Sequence, residues 1–196
     1  MKFRQAVIFT GQGFSVPQGI QRIDTRATHG WQVRCDGTKL FSDHSSDGSG
    51  AEAALGRAMD ELTSRLARHP APPSLQQGPS AHKTSDLPAG ISGPVMRIRA
   101  RSRTQVAEFS LSLPRFGQAA LRRTVHIGNA ASYSAQRYND VLARAVALRE
   151  QAMADYQRAA TVHRRTLAAS LLADRARRDQ QASLDPVKPA RSQVNA

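Results

Sequence analysis

Cysteine is almost missing from this chain: Cys35 stands alone among 196 residues, so neither an intramolecular disulfide nor a cysteine-rich zinc site can form. A reduced, cytoplasmic setting is the default expectation for such a composition. With no second cysteine and no histidine beside it in sequence, Cys35 reads as a small buried residue rather than a reactive thiol. Aromatic residues make up only 5% of the chain, with a single tryptophan, which limits any core to aliphatic, alanine-rich packing. Near the N-terminus no apolar run extends beyond residues 6–9, so neither a signal peptide nor a membrane span is expected. The six histidines, at 29, 44, 69, 82, 126 and 163, show no metal-ligand spacing. Glycine-rich phosphate loops and Gly-x-Ser-x-Gly elbows do not occur. Asp43-His44 lies among small polar residues and reads as a loop rather than a hydrolytic pair. These exclusions together argue against an enzyme, a metal or a cofactor.

Lysine is scarce as well, at positions 2, 39, 83 and 188 only, so 24 of the 28 basic residues are arginine in a chain of net charge +13. Arginine forks two hydrogen bonds to phosphate or to guanine, a geometry lysine does not offer. A high genomic G·C content also enriches arginine and is the duller reading. The charge is uneven: residues 1–70 hold nine basic against seven acidic residues, 71–131 eight against two, and 132–196 eleven against six.

Along the chain, Gly19-Ile20-Gln21-Arg22-Ile23 returns as Pro94-Val95-Met96-Arg97-Ile98, and each copy leads into alternating segments and an alanine-rich one. In the first copy, residues 19–26 are strand-like, Thr28-His29-Gly30 suggests a turn, 31–35 alternate, Asp36-Gly37 signals a hairpin, and 38–42 form a third strand. Apolar residues at 51, 54, 55, 58, 59, 62 and 66 mark a helix. Residues 5–9 suggest an additional edge strand. In the second copy, strands are expected from Val95, around Ala107–Leu111 and at 122–127, with a long connection over 112–120. A helix without proline or glycine then runs from 134 to about 181. The expected organisation is α+β: a three-stranded antiparallel sheet plus helix over 1–68, a proline-rich linker over 69–89, a second such unit with an extended helix over 90–182, and a disordered tail over 183–196.

A three-stranded sheet backed by one helix leaves one face bare. That face is expected to carry Gln21, Arg22, Arg26, Trp31, Gln32, Arg34 and Lys39 in the first unit, and Arg97, Arg99, Arg101, Arg103 and Arg122 in the second. Sheets of this kind enter the major groove of duplex DNA, where arginine reads guanine and glutamine reads adenine. The duller readings are a packed Trp31 and a solvated arginine face.

Gly19-Ile20, Trp31-Gln32-Val33-Arg34-Cys35, Lys39-Leu40-Phe41 and Ala51-Glu52-Ala53-Ala54 resemble, in order and spacing, the ethylene-response-factor or Apetala-type DNA-binding domain, which also occurs in bacterial and phage proteins. The resemblance covers about residues 18–67 and, more faintly, 90–150. It implies major-groove contacts by Arg22, Trp31 and Arg34. The second copy departs from the pattern, with Gln105 in place of the tryptophan and Glu108 in place of an outward basic residue.

The expected function is double-stranded DNA binding by a cytoplasmic, nucleoid-associated regulator or architectural factor with two tethered units. The alternatives are a protein-interaction or assembly module, in which the long C-terminal helix forms a homodimer, and an RNA-binding protein. No membrane partner is expected.

Overall fold

The computed structural model describes residues 1–76, 78–99 and 103–184. Among the described residues the architecture is α+β, with antiparallel sheets of two, three and three strands and two helices, the second of them long. The described residues form two units: Met1–Pro70 with residues 163–184, and Ala71–Val162.

The first unit opens with β1 (Phe3–Val7) and β2 (Gly13–Pro17), which pair with each other in a sheet of their own. The expected extra edge strand is therefore half of a separate hairpin. Val16 and Ile8 turn into the core, which requires a partner strand that the polar run around Gly11–Gly13 conceals in the sequence.

The three-stranded sheet has the order β3 (Ile20–Asp24), β4 (His29–Arg34), β5 (Thr38–Ser42). Asp36 and Gly37 both have positive φ, 50° and 99°, which the β4–β5 turn demands and an Asp-Gly pair tolerates. The β3–β4 turn falls earlier than expected, closed by the Thr25 amide on the Thr28 carbonyl at 2.9 Å. Gly30 is consequently a strand residue, and it stays glycine because a Cβ there would lie 2.4 Å from the Phe41 carbonyl oxygen.

Helix α1 (Ala51–Arg68) covers one face of this sheet with Ala51, Ala54, Leu55, Ala58, Leu62 and Leu66. They meet Ile8, Val16, Ile20, Trp31 and Val33. Ala168 and Leu171 belong to the same core. They come from α2 (Ala135–Leu184), so the helix beyond His163 packs in the first unit and not in the second, to which the sequence pattern assigns all of 90–182. Its packing stripe is narrow, small and interrupted by arginines, which is why the apolar period fades there. Arg164, 7% exposed, pairs with Asp36 in this unit.

The second unit contains β6 (Ile91–Ile98), β7 (Gln105–Arg115) and β8 (Gln118–Asn129), in that order. The long connection expected over 112–120 is mostly strand: Ser112 pairs with Arg122, Leu113 with Leu121 and Arg115 with Gln118. Phe116-Gly117 makes the turn, with Gly117 at φ 69°. Ile91, Ala107, Phe109, Leu111, Leu113 and Ile127 face Tyr138, Val141, Leu142 and Ala145 of α2. Phe109 meets Tyr138 edge-on at 5.2 Å. Ser134 caps α2, its hydroxyl accepting the Arg137 amide at 3.2 Å.

The segment expected as a linker, 69–89, is anchored within this second unit from Ala71 on. The Ala71 amide donates to Thr161 Oγ1, Leu87 enters the core, and Lys83 Nζ donates to the carbonyls of Leu87, Pro88 and Ile91. Proline blocks regular structure there but does not prevent single apolar side chains from docking. Of the tail expected at 183–196, residues from 185 on lie outside the described residues.

Candidate nucleic-acid interface

Strand alternation and register decide which side chains share a face. In the first sheet Arg22 lies opposite Trp31, Trp31 opposite Phe41, and Val33 opposite both Ile20 and Lys39. Ile20, Trp31 and Val33 pack in the core beneath α1, so Arg22 and Lys39 are on that covered side as well. Trp31 is fully buried and its Nε1 donates to the Ala51 carbonyl at 2.8 Å. Arg22 lies over the Trp31 ring and donates to both oxygens of Asp43, at 2.9 and 2.6 Å, and to Asp24. Burial opposes its charge, but the bonds to Asp43 and Asp24 outweigh it and raise its pKa. For Asp24, too, burial is outweighed, here by the bonds from Arg22 and His29, which hold its carboxyl below the usual carboxylate range. Lys39 pairs with Glu61 of α1 at 3.1 Å.

Three residues expected on the bare face, Arg22, Trp31 and Lys39, are therefore built into the covered side. A guanidinium held by two carboxylates beneath a helix is a structural group, closed to a base edge. Arg26 is exposed in the β3–β4 turn. Gln21, Gln32 and Arg34 do face away from α1, with Arg34 Nε donating to Gln32 at 2.5 Å. Gln21 and Arg34 also line an open cleft with Lys2, Arg4 and His163. Sequence reasoning misses those last three, whose only signal is isolated basic character in distant segments.

The open face of the second sheet is different. By register it carries Val95 and Arg97 from β6, Val106, Glu108, Ser110 and Ser112 from β7, and Arg122, Thr124 and His126 from β8, Val106 beside Arg97 being buried. Arg97, Arg122, Thr124 and His126 are exposed. Among the described residues, the side chains of Arg97, Arg99, Arg103 and Arg122 make no hydrogen bond or ion pair, and Glu108 is the one acid of this face. The row of four alternating arginines expected here is shortened. The strand ends at Ile98, and Arg99 and Arg103 belong to the connection to β7, where the Arg103 amide donates to the Arg99 carbonyl at 2.9 Å and Arg103 has φ 51°. Arg101 lies outside the described residues.

At one end of this face a groove of about 510 Å³ runs between Ser80, Lys83, Ser92, Ser110, Ser112 and Arg122. Hydroxyls, an arginine and an ammonium bonded only to carbonyls line it. Arg149 donates to the Ser112 carbonyl just behind. Burial, and then the Arg149 charge, push the Lys83 ammonium below its ordinary pKa. The three Lys83 N–H groups are taken by the carbonyls of Leu87, Pro88 and Ile91, so Lys83 adds positive field while the hydroxyls and Arg122 supply donors, together the chemistry that receives phosphate oxygens.

Among the described residues no cluster of histidine, cysteine, aspartate or glutamate is arranged to hold a metal, and no helix is long and apolar enough to cross a membrane. No known protein family matches this chain, and no curated protein or solved structure does either.

Proposed function

We propose that the chain binds double-stranded DNA, gripping the phosphate backbone through the open face of the β6-β7-β8 sheet, in a regulatory or architectural role. The observation that carries this reading is the group of exposed arginines on and beside this one face. Arginines of the first unit such as Arg22, Arg65 and Arg164 are held by acids, whereas Arg97, Arg99, Arg103 and Arg122 of the second face solvent without a partner among the described residues. Leaving charge of one sign unneutralised on a pleated surface is costly to the fold and useful to a polyanion ligand.

The resemblance to the Apetala-type domain supports the class of ligand but not its mode of contact, because Arg22 and Trp31 are committed to the core. Contacts then go chiefly to phosphates, and sequence selectivity is low. Homodimerisation through the end of the long helix is disfavoured, since Ala168 and Leu171 are already buried within the first unit.

A gel-shift titration against random duplex at rising salt tests the reading. Affinity should fall steeply with salt. The triple variant R97A/R99A/R122A should weaken binding to every sequence and lower the salt slope by about one for each phosphate it no longer neutralises. Affinity indifferent to salt, or a triple variant that binds as the parent does, would refute it. Structured RNA of equal length, added as competitor, separates duplex DNA from RNA as the preferred polyanion.

A further inference from the structure

The first unit holds a cleft of about 1050 Å³ that the sheet-face reading does not use, lined by Lys2, Phe3, Arg4, Gln21, Arg34 and Leu167 among others. Among the described residues its remaining titratable side chain is His163, and no aspartate or glutamate lines it. Other cations of this unit do have acidic partners: Asp43 pairs with Arg22, Glu61 with Lys39 and Arg65, Asp36 with Arg164.

We propose that this cleft is a binding site for a nucleotide, free or at the end of a strand. Two guanidiniums are set in place by a single bond each: Arg4 Nη2 donates to the Ile20 carbonyl at 3.1 Å, and Arg34 Nε to Gln32 at 2.5 Å. The remaining N–H groups of each make no bond to another described residue, an arrangement that orients a fork toward an oxyanion with little entropy left to lose. The walls are fixed by backbone bonds, from the Gln18 amide to the Lys2 carbonyl at 3.0 Å and from the Arg34 amide to the Gly19 carbonyl at 2.8 Å.

Beside the cations lie Leu167 and the Phe3 ring, which is 42% exposed. Phosphate alone has no use for such a surface, whereas a base or sugar does. The Gln18 and Gln21 amides, each both donor and acceptor, match the mixed edge of a base. The volume is at the upper end of small-ligand sites and is open to solvent, which suits a short flat group better than a long acyl chain.

Calorimetric titration of the full chain with adenosine monophosphate, inorganic phosphate and a short oligothymidine tests the assignment. Adenosine monophosphate should bind at least about tenfold more tightly than phosphate. The variant K2E/R34E, both positions being exposed, should lose at least about tenfold in that affinity with its melting midpoint unchanged. Phe3→Ala should weaken the nucleotide and leave phosphate as it was. Oligothymidine outcompeting the monophosphate identifies a strand end as the source, and the reverse order identifies the free nucleotide. Equal affinity for phosphate and nucleotide, or a K2E/R34E protein that binds as the parent does, overturns the proposal. R97A/R99A/R122A should not change nucleotide affinity, so loss of duplex binding in that variant is read separately.

Discussion

The Arg22 guanidinium carbon sits 5.0 Å from the centre of the Trp31 ring, with Asp43 closing the guanidinium from the side. The two residues that sequence reasoning sends outward to DNA are stacked on each other beneath a helix. Neither has a free polar edge to offer.

Trp31 is the sole tryptophan, so its fluorescence reports this one site. Emission should be that of a buried indole, and adding duplex DNA should leave acrylamide quenching unchanged. Protection or quenching by DNA would place the ring at the interface instead. Replacing it with alanine should cost about 3–5 kcal/mol through the cavity left in the core, read by thermal melting.

Removing one partner of a buried ion pair strands the other. Arg22→Ala leaves the Asp43 side chain, fully buried in the native fold, without its partner and should destabilise the first unit by about 3–5 kcal/mol. DNA affinity measured well below the melting temperature should be unaltered. A stable Arg22→Ala protein that had lost DNA binding would reverse the assignment of this residue.

Acid should attack the same cluster. The Asp24 carboxyl is held below its ordinary pKa, its bonds from Arg22 and His29 outweighing burial, so the unfolded chain binds the proton more readily than the folded one. The stabilisation is complete above the unfolded value of about 3.9 and is lost as pH falls through the lower folded value. The gap in melting midpoint between parent and Asp24→Asn should therefore be full at pH about 6 and should narrow as the pH falls below about 4. A gap that is the same at both ends of that range would rule the linkage out.

Leu171, 4% exposed, fills the core of the first unit from the distant end of α2. Leu171→Ala should cost about 2–5 kcal/mol there. Hydrogen exchange should quicken at α1 amides while those of β7 keep their protection. Faster exchange confined to β7 would contradict the division of α2 between the units.

Part of the fold is plain from local pattern. The stripe from Ala51 to Leu66 is a helix because its apolar residues repeat every three or four positions. Asp36-Gly37 is a turn because both residues accept positive φ. The run from Ser134 without glycine or proline is helical because nothing in it breaks a helix. The expected site is legible only in part. Arg97 and Arg122 do lie on an open face, but the sequence reading puts Arg22, Trp31 and Lys39 on the same face as Gln21, Gln32 and Arg34, which have the opposite parity. Alternation in β3 already pairs Arg22 with Ile20, and that is the signal that places it inward.

Composition determined the excess of arginine, and local periodicity determined most of the secondary elements, since those features follow from each residue and its near neighbours, though not β2 or the strand pairing over 112–120. Which side of a sheet a helix covers, which arginines meet a carboxylate, and where the last turns of α2 come to rest were decided by tertiary structure. Those outcomes depend on pairings between segments that are not neighbours, from Arg22 with Asp43, 21 residues apart, to Asp36 with Arg164, 128 residues apart, and no local window of the chain contains both partners.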